Sequence, residues 1–184
     1  ADGYVYIAGN TTSNNLPVTL NVFDNTFNGY GSDPYEIGDV FIAKFTYDLG
    51  EPVACTYLGG SAAEHLHTMI LAPDGSIILA GSTNSADFPW SPGAYDSTLA
   101  VGGTYGLDVF VTKLDADLQN LLGATFIGGT AEDFAEAVAI GLDGVIYVGG
   151  WTSSANYPKI YGAQMYYGGG SFDGFISKIS ADFT

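Results

Sequence analysis

Three segments of this chain share one pattern. Asp2-Gly3-Tyr4-Val5-Tyr6-Ile7-Ala8-Gly9 matches Asp74-Gly75-Ser76-Ile77-Ile78-Leu79-Ala80-Gly81 and Asp143-Gly144-Val145-Ile146-Tyr147-Val148-Gly149-Gly150, at spacings of 72 and 69 residues. A period of this length marks repeated supersecondary units, each too small to bury its apolar face alone. Every copy runs on through a Ser/Thr/Asn stretch to a proline at Leu16-Pro17, Phe88-Pro89 or Tyr157-Pro158, and then through a Gly-rich loop. Next come Asp39-Val40-Phe41-Ile42-Ala43-Lys44-Phe45, Asp108-Val109-Phe110-Val111-Thr112-Lys113-Leu114 and Asp173-Gly174-Phe175-Ile176-Ser177-Lys178-Ile179, so three of the four lysines hold one repeat position. Two copies close with Thr56-Tyr57-Leu58-Gly59-Gly60 and Thr125-Phe126-Ile127-Gly128-Gly129, and the third stops before this point.

Asp-Gly before an alternating β-branched and aromatic run predicts a hairpin, with a two-residue turn at positive φ. Each unit then holds about four short strands. Residues 131–142 carry Ala and Glu enough for a helix, but Gly-Gly precedes them, Asp-Gly ends them, and Phe134, Glu136, Val138 and Ile140 alternate with alanines; the pattern predicts a strand. Sheets this small must pack face to face around an axis, as propeller blades do. Phe41, Phe110 and Phe175 are expected between blades, and the Gly pairs at strand exits with unusual φ. Asp39 and Lys44 fall on opposite faces of a regular strand, so each should pair with a neighbour.

The expected architecture is all-β, with propeller-type blades of four antiparallel strands. Residues 1–60 form a first blade without its innermost strand, 61–129 a complete second blade, and 130–184 a third without its outermost strand. That makes ten strands in about two and a half to three blades, whereas propellers close with about four to eight. This chain alone should not close a ring. It should pair with copies of itself or with the rest of a longer chain, through strand-starved ends that offer an edge to another strand.

Charge excludes several partners. The 184 residues carry a net charge of −16 because four lysines and no arginine face 20 acids. Nucleic acid binding needs a basic stripe to neutralise phosphates, and anionic membrane surfaces would repel such a chain. No apolar run approaches a membrane span, and the N-terminus lacks a basic region followed by an apolar run, as in a mature or trimmed product. The lone Cys55 cannot form an intramolecular disulfide, and its place inside a predicted strand makes it inert.

The succession of Asp-Gly-x-hydrophobic-Tyr-hydrophobic-x-Gly, Phe88-Pro89, Pro92-Gly93-Ala94-Tyr95, Gly-Gly, Asp-x-Phe-Val-x-Lys-Leu and Thr-Tyr-Leu-Gly-Gly resembles the bacterial and archaeal beta-propeller repeat family labelled SBBP. The resemblance covers nearly the whole chain. The first copy departs by an insertion over residues 29–37, and the third lacks the phenylalanine before proline and the closing strand. The resemblance implies a propeller in secreted or cell-surface proteins, with surface binding, adhesion or structural work. It carries no catalytic motif across.

Candidate chemistry is sparse. His65 and His67, two apart on a predicted strand, share a face and could bind a transition metal with Glu64 as third ligand. The next copy has Phe134 and Glu136 in their places, which favours a structural role, and Glu64 recurs as Asp133, an acid able to accept backbone donors. Calcium is the more plausible ion, from loops at residues 33–39 or at Asp115 and Asp117, although neither matches a known calcium loop and solvated turn acids are the plainer reading. Trp90 and Trp151 could stack on sugars, but packing within the blades is the commoner use of such rings. Asn10-Thr11-Thr12 fits an N-glycosylation sequon. No nucleophile elbow, P-loop or dinucleotide fingerprint occurs, and the acids alone leave a polysaccharide-acting enzyme as the least favoured alternative.

The resulting expectation is a non-enzymatic, extracellular or cell-surface structural or adhesive protein that assembles with itself, as in a filament. A carbohydrate- or calcium-binding module is the alternative.

Overall fold

The computed structural model describes residues 3–29, 38–100, 102–159 and 167–184. The expected all-β chain holds: ten strands form three open antiparallel sheets, and no helix occurs among the described residues. The first sheet orders β1 (Tyr4–Thr11), β2 (Asp39–Thr46) and β3 (Pro52–Leu58). The second orders β4 (Glu64–Leu71), β5 (Ile77–Thr83), β6 (Asp108–Leu114) and β7 (Leu121–Ile127). The third holds β8 (Asp133–Ile140), β9 (Ile146–Thr152) and β10 (Asp173–Ile179). Residues 131–142 thus supply a strand, as the alternation predicts.

Registers recur. Thr11 faces Asp39, Thr83 faces Asp108, and Thr152 faces Asp173. The Asp-Gly turn differs from the expected two-residue form. Gly75 N donates to Ala72 O and Ala72 N to Ser76 O, so three residues make the connection, and of the Asp-Gly pair only Gly75 has positive φ, at 84°. A type I turn closed by a left-handed glycine has this geometry, whereas a two-residue turn of the expected kind needs positive φ at Asp as well.

The Gly pairs also depart from expectation, since none of Gly59, Gly60, Gly128 and Gly129 has positive φ. Space is the reason. A Cβ on Gly60 would sit 2.5 Å from Ser85 Cβ, and one on Gly129 2.6 Å from Ser154 Cβ, so each pair lets a neighbouring loop close over a strand end.

Two apolar cores join the sheets. Val40, Ile42 and Leu58 of the first sheet meet Ile77, Leu79, Phe110 and Leu114 of the second. Ile78, Val109 and Val111, on the other face of the second sheet, meet Ala135, Ile146, Val148 and Ile179 of the third. All seven residues of β5 are buried, because this strand is covered on both faces and needs no polar alternation. Of the recurrent aromatics expected at the junctions, Phe110 lies fully inside the first core and Phe175 packs against the second, whereas Phe41 is only partly buried and belongs to neither core.

Candidate functional site

Acids head the strands at both junctions between sheets. Asp39 begins β2 and Glu64 begins β4; Asp108 begins β6 and Asp133 begins β8, and all four are buried. Backbone bonds fasten each junction, from Glu64 N to Gly38 O at 3.0 Å and from Asp133 N to Leu107 O at 2.8 Å.

At the first junction, Glu64 Oε1 accepts from Thr83 Oγ1 at 2.7 Å and Oε2 from Gly60 N at 3.2 Å. Asp39 Oδ2 accepts from Asn28 N at 2.9 Å, while Oδ1 has no hydrogen bond. A Cβ on Gly59 would stand 2.6 Å from Glu64 Oε2 and 2.7 Å from Asp39 Oδ1, so both oxygens close on the one glycine. The second junction repeats the plan. Asp133 Oδ2 accepts from Gly129 N at 2.7 Å and Ser154 Oγ at 2.8 Å, and Asp108 Oδ2 accepts from Ala100 N at 2.7 Å. Asp108 Oδ1 makes no hydrogen bond and abuts the position of a Gly128 Cβ.

Dry surroundings disfavour ionised carboxylates. Burial, reinforced by the charge of Asp39, pushes Glu64 up to about 7. Burial raises Asp39 to about 6 and Asp108 to about 7, the latter helped by Asp133, which is itself raised by burial. Each pair therefore tends to keep a proton, which removes the repulsion between its members. The chemistry available here is the holding and release of protons where two sheets meet.

Charged and polar straps reinforce the first junction. Lys44, whose side chain is 6% exposed, donates from Nζ to Asp117 Oδ1 at 3.0 Å and to Ala116 O at 2.9 Å, and its ammonium lies 4.3 Å from the Tyr4 ring centre. Lys113 instead reaches Asp74 of its own sheet at 3.0 Å. Each lysine pairs away from the aspartate of its own strand, as the spacing predicts. Lys44→Met should cost about 1–2 kcal/mol, by loss of a largely buried cation and its π contact. Lys113→Met should cost at most about 1 kcal/mol, the range of surface pairs. Urea unfolding of the two variants compares them, and equal losses would mean that the inter-sheet strap adds nothing.

The residues singled out as metal candidates are not brought together. The carboxylate of Glu64 is engaged with Thr83 and Gly60. A bulge between Leu66 and Thr68 leaves His67 without a partner in the β5 ladder, so the alternation expected to put His65 and His67 on one face is interrupted. His67 Nδ1 lies 3.8 Å from Glu136 Oε2 and its ring stands edge-on to Phe134. Asp115 accepts from Gln119 N and Asn120 Nδ2 within its turn, and Asp117 holds Lys44. Among the described residues no three His, Cys, Asp or Glu side chains form a group suited to a metal ion. The proposed calcium loop at residues 33–39 lies outside the described residues except for Gly38 and Asp39.

Asn10, the sequon residue, is exposed on β1, and its Oδ1 accepts from Leu66 N at 2.8 Å, another bond between sheets. Trp151 stacks on Phe134 with ring centres 4.0 Å apart, and its Nε1 donates to Glu136 Oε1 at 3.0 Å. Trp90 is exposed, and Cys55 is buried in β3.

Spacing alone concealed the acid pairs, since Asp39 and Glu64 stand 25 residues apart. The available signal was that the acids of both junctions recur in step with the Gly pairs.

No family model matches the chain. The chain is similar to the regulatory protein FlaEY of Caulobacter vibrioides, at 30% identity over 148 residues that cover 79% of this chain and 14% of that protein. The chain thus spans only a small part of the length of that relative.

Proposed function

We propose that this chain is a non-enzymatic propeller-repeat module of the cell exterior, with structural or adhesive work performed in association with copies of itself or with the remainder of a longer chain. Its first sheet is a blade lacking the innermost strand, its second a complete blade, and its third a blade lacking the outermost strand. One observation carries the reading. The polar groups that stand out in this chain, Asn10, Asp39, Lys44, Glu64, Asp108 and Asp133, lie where one sheet is joined to the next. Groups so engaged serve cohesion. Similarity to part of a much longer regulatory protein suits a module built into larger polypeptides. The depletion of positive charge and the resemblance to propeller repeats support an exterior location.

A second reading, carbohydrate binding, draws on the aromatic row at the third sheet, where Phe134, Trp151 and the 56% exposed Phe172 are in contact. Sugars stack on such rings. Negative-stain electron microscopy of the native material, with a glycan array beside it, separates the two. Filaments, sheets or larger particles without glycan selectivity are expected; dispersed single chains that select one sugar class would sink the structural reading.

A further inference from the structure

The two outer sheets present opposite halves of an interface that the chain already makes twice. On the side of the second sheet that faces the first, Ile77, Leu79, Phe110, Leu114 and Leu118 are fully buried. Their counterparts in the third sheet, Ile146, Val148, Phe175, Ile179 and Phe183, pack into the other junction. The first sheet carries Val5, Ile7, Phe41, Phe45 and Leu49 at these positions. Among the described residues no further sheet packs on this face: Ile7 is exposed, Leu49 is 61% exposed, and Val5, Phe41 and Phe45 are only partly buried.

Leu49 is the most telling of the set. Leu49, Leu118 and Phe183 all have positive φ, at 55°, 58° and 64°, and in each case the amide closes the same turn by donating three residues back. Left-handed backbone is unfavourable for a leucine or phenylalanine, whose Cβ is forced close to the carbonyl oxygen. Burial of the side chain in the junction offsets that cost at Leu118 and Phe183. At Leu49 the strained turn is kept and the burial is missing.

The opposite face of the third sheet is the matching half. Ile176 occupies the place of Ile42 and Val111, both fully buried, yet is 83% exposed. Beside it, Tyr147 pairs with Lys178 in the ladder, as Tyr6 pairs with Lys44 in the first sheet. At the first junction Tyr6 and Lys44 both donate to Ala116 O, and Lys44 also binds Asp117. The first unit has Asp48 at the position of Asp117.

Deepening the structural reading above and resting on it, we infer that a second copy of this chain docks head to tail. The face of its first sheet, with Ile7, Leu49 and Asp48, meets the face of the third sheet, with Tyr147, Ile176 and Lys178. Such a contact is heterologous, so it propagates into a filament or closes into a ring according to the rotation per copy. Charge fixes the register as in the first junction, with Lys178 of one copy against Asp48 of the next.

Leu49→Asp and Ile176→Asp each disable one face only, and both replace exposed side chains, so the fold should survive, as circular dichroism checks. Sedimentation velocity of the wild-type chain should give masses rising with concentration in whole-chain steps. Each variant alone should stay monomeric, with association weakened by about tenfold or more, the effect of losing one buried leucine or isoleucine contact. Mixed, the two variants should form a one-to-one dimer and go no further, because each supplies the face the other lacks. Wild-type chain that remains monomeric at about 1 mM, where even weak association is visible, would overturn the inference. So would a mixture without dimers. Wild-type assemblies that persist in both variants would also overturn it while leaving the structural reading in place, since strand edges would then carry the association.

Discussion

Gly81→Ala should destabilise the chain by about 3 kcal/mol, at the upper end of the cost of overfilling a packed site. A Cβ there would run into the carbonyl oxygen of His65 and lie 2.8 Å from the Phe110 ring. The bulge of β4 is the cause, because it drives the backbone at His65 and Leu66 against β5. Gly150 stands in the same relation to Phe134 O opposite the bulge of β8. Gly9, the counterpart in β1, has no such strand beside it, and its added Cβ would meet only the Phe41 ring at 3.0 Å. That ring is only partly buried and can give way, so Gly9→Ala should change stability by less than about 1 kcal/mol. Urea midpoints at unchanged m values compare the two. Equal losses would show that the bulge does not require glycine.

Thermal stability should fall as the solution is taken from about pH 4 to about pH 8. Glu64 is raised by burial from 4.5 to about 7, and Asp39 and Asp108 from 3.8 to about 6 and about 7. Between the unfolded and folded values the native state holds protons that the unfolded chain has released. Their contribution is complete below the unfolded values and disappears as pH rises through the folded ones. For Glu64 the span is on the order of 3 kcal/mol. Asp74 acts in the opposite sense: the hydroxyl and amide of Ser76, with Lys113, lower it to about 2, so its contribution is lost as pH falls toward that value. The optimum should therefore lie near pH 4–5. Glu64→Gln and Asp108→Asn should flatten the alkaline limb, as read from melting temperature against pH. A wild-type melting temperature that holds level from pH 4 to 8 would remove the proton-holding role from these pairs.

Strand positions were legible because the chain repeats them: a pattern met three times identifies its own boundaries. The Asp-x-Phe strands, the contested strand at residues 131–142 and the outward pairing of the lysines all followed from alternation and recurrence. Details that depend on a neighbouring sheet were not legible. The bulge that parts His65 from His67 is a matter of fit against β5, and its trace in the sequence is a glycine in the middle of β5 and β9. The Gly pairs invited an explanation by unusual φ, yet their reason is the carboxylates and loop residues that crowd them. Asp39 and Glu64 meet through the stacking of one sheet on the next, a contact no local spacing encodes.

Among the described residues, every strand pairs only with a strand adjacent to it in sequence. The hydrogen bonds that cross from sheet to sheet likewise join each unit to the next along the chain. Stability in such a chain is a sum of unit terms and nearest-neighbour terms, as in a one-dimensional lattice. Adding or deleting one unit then changes the total by one increment and leaves the remaining junctions as they were. Length becomes a quantity that duplication can adjust without redesign of any existing contact.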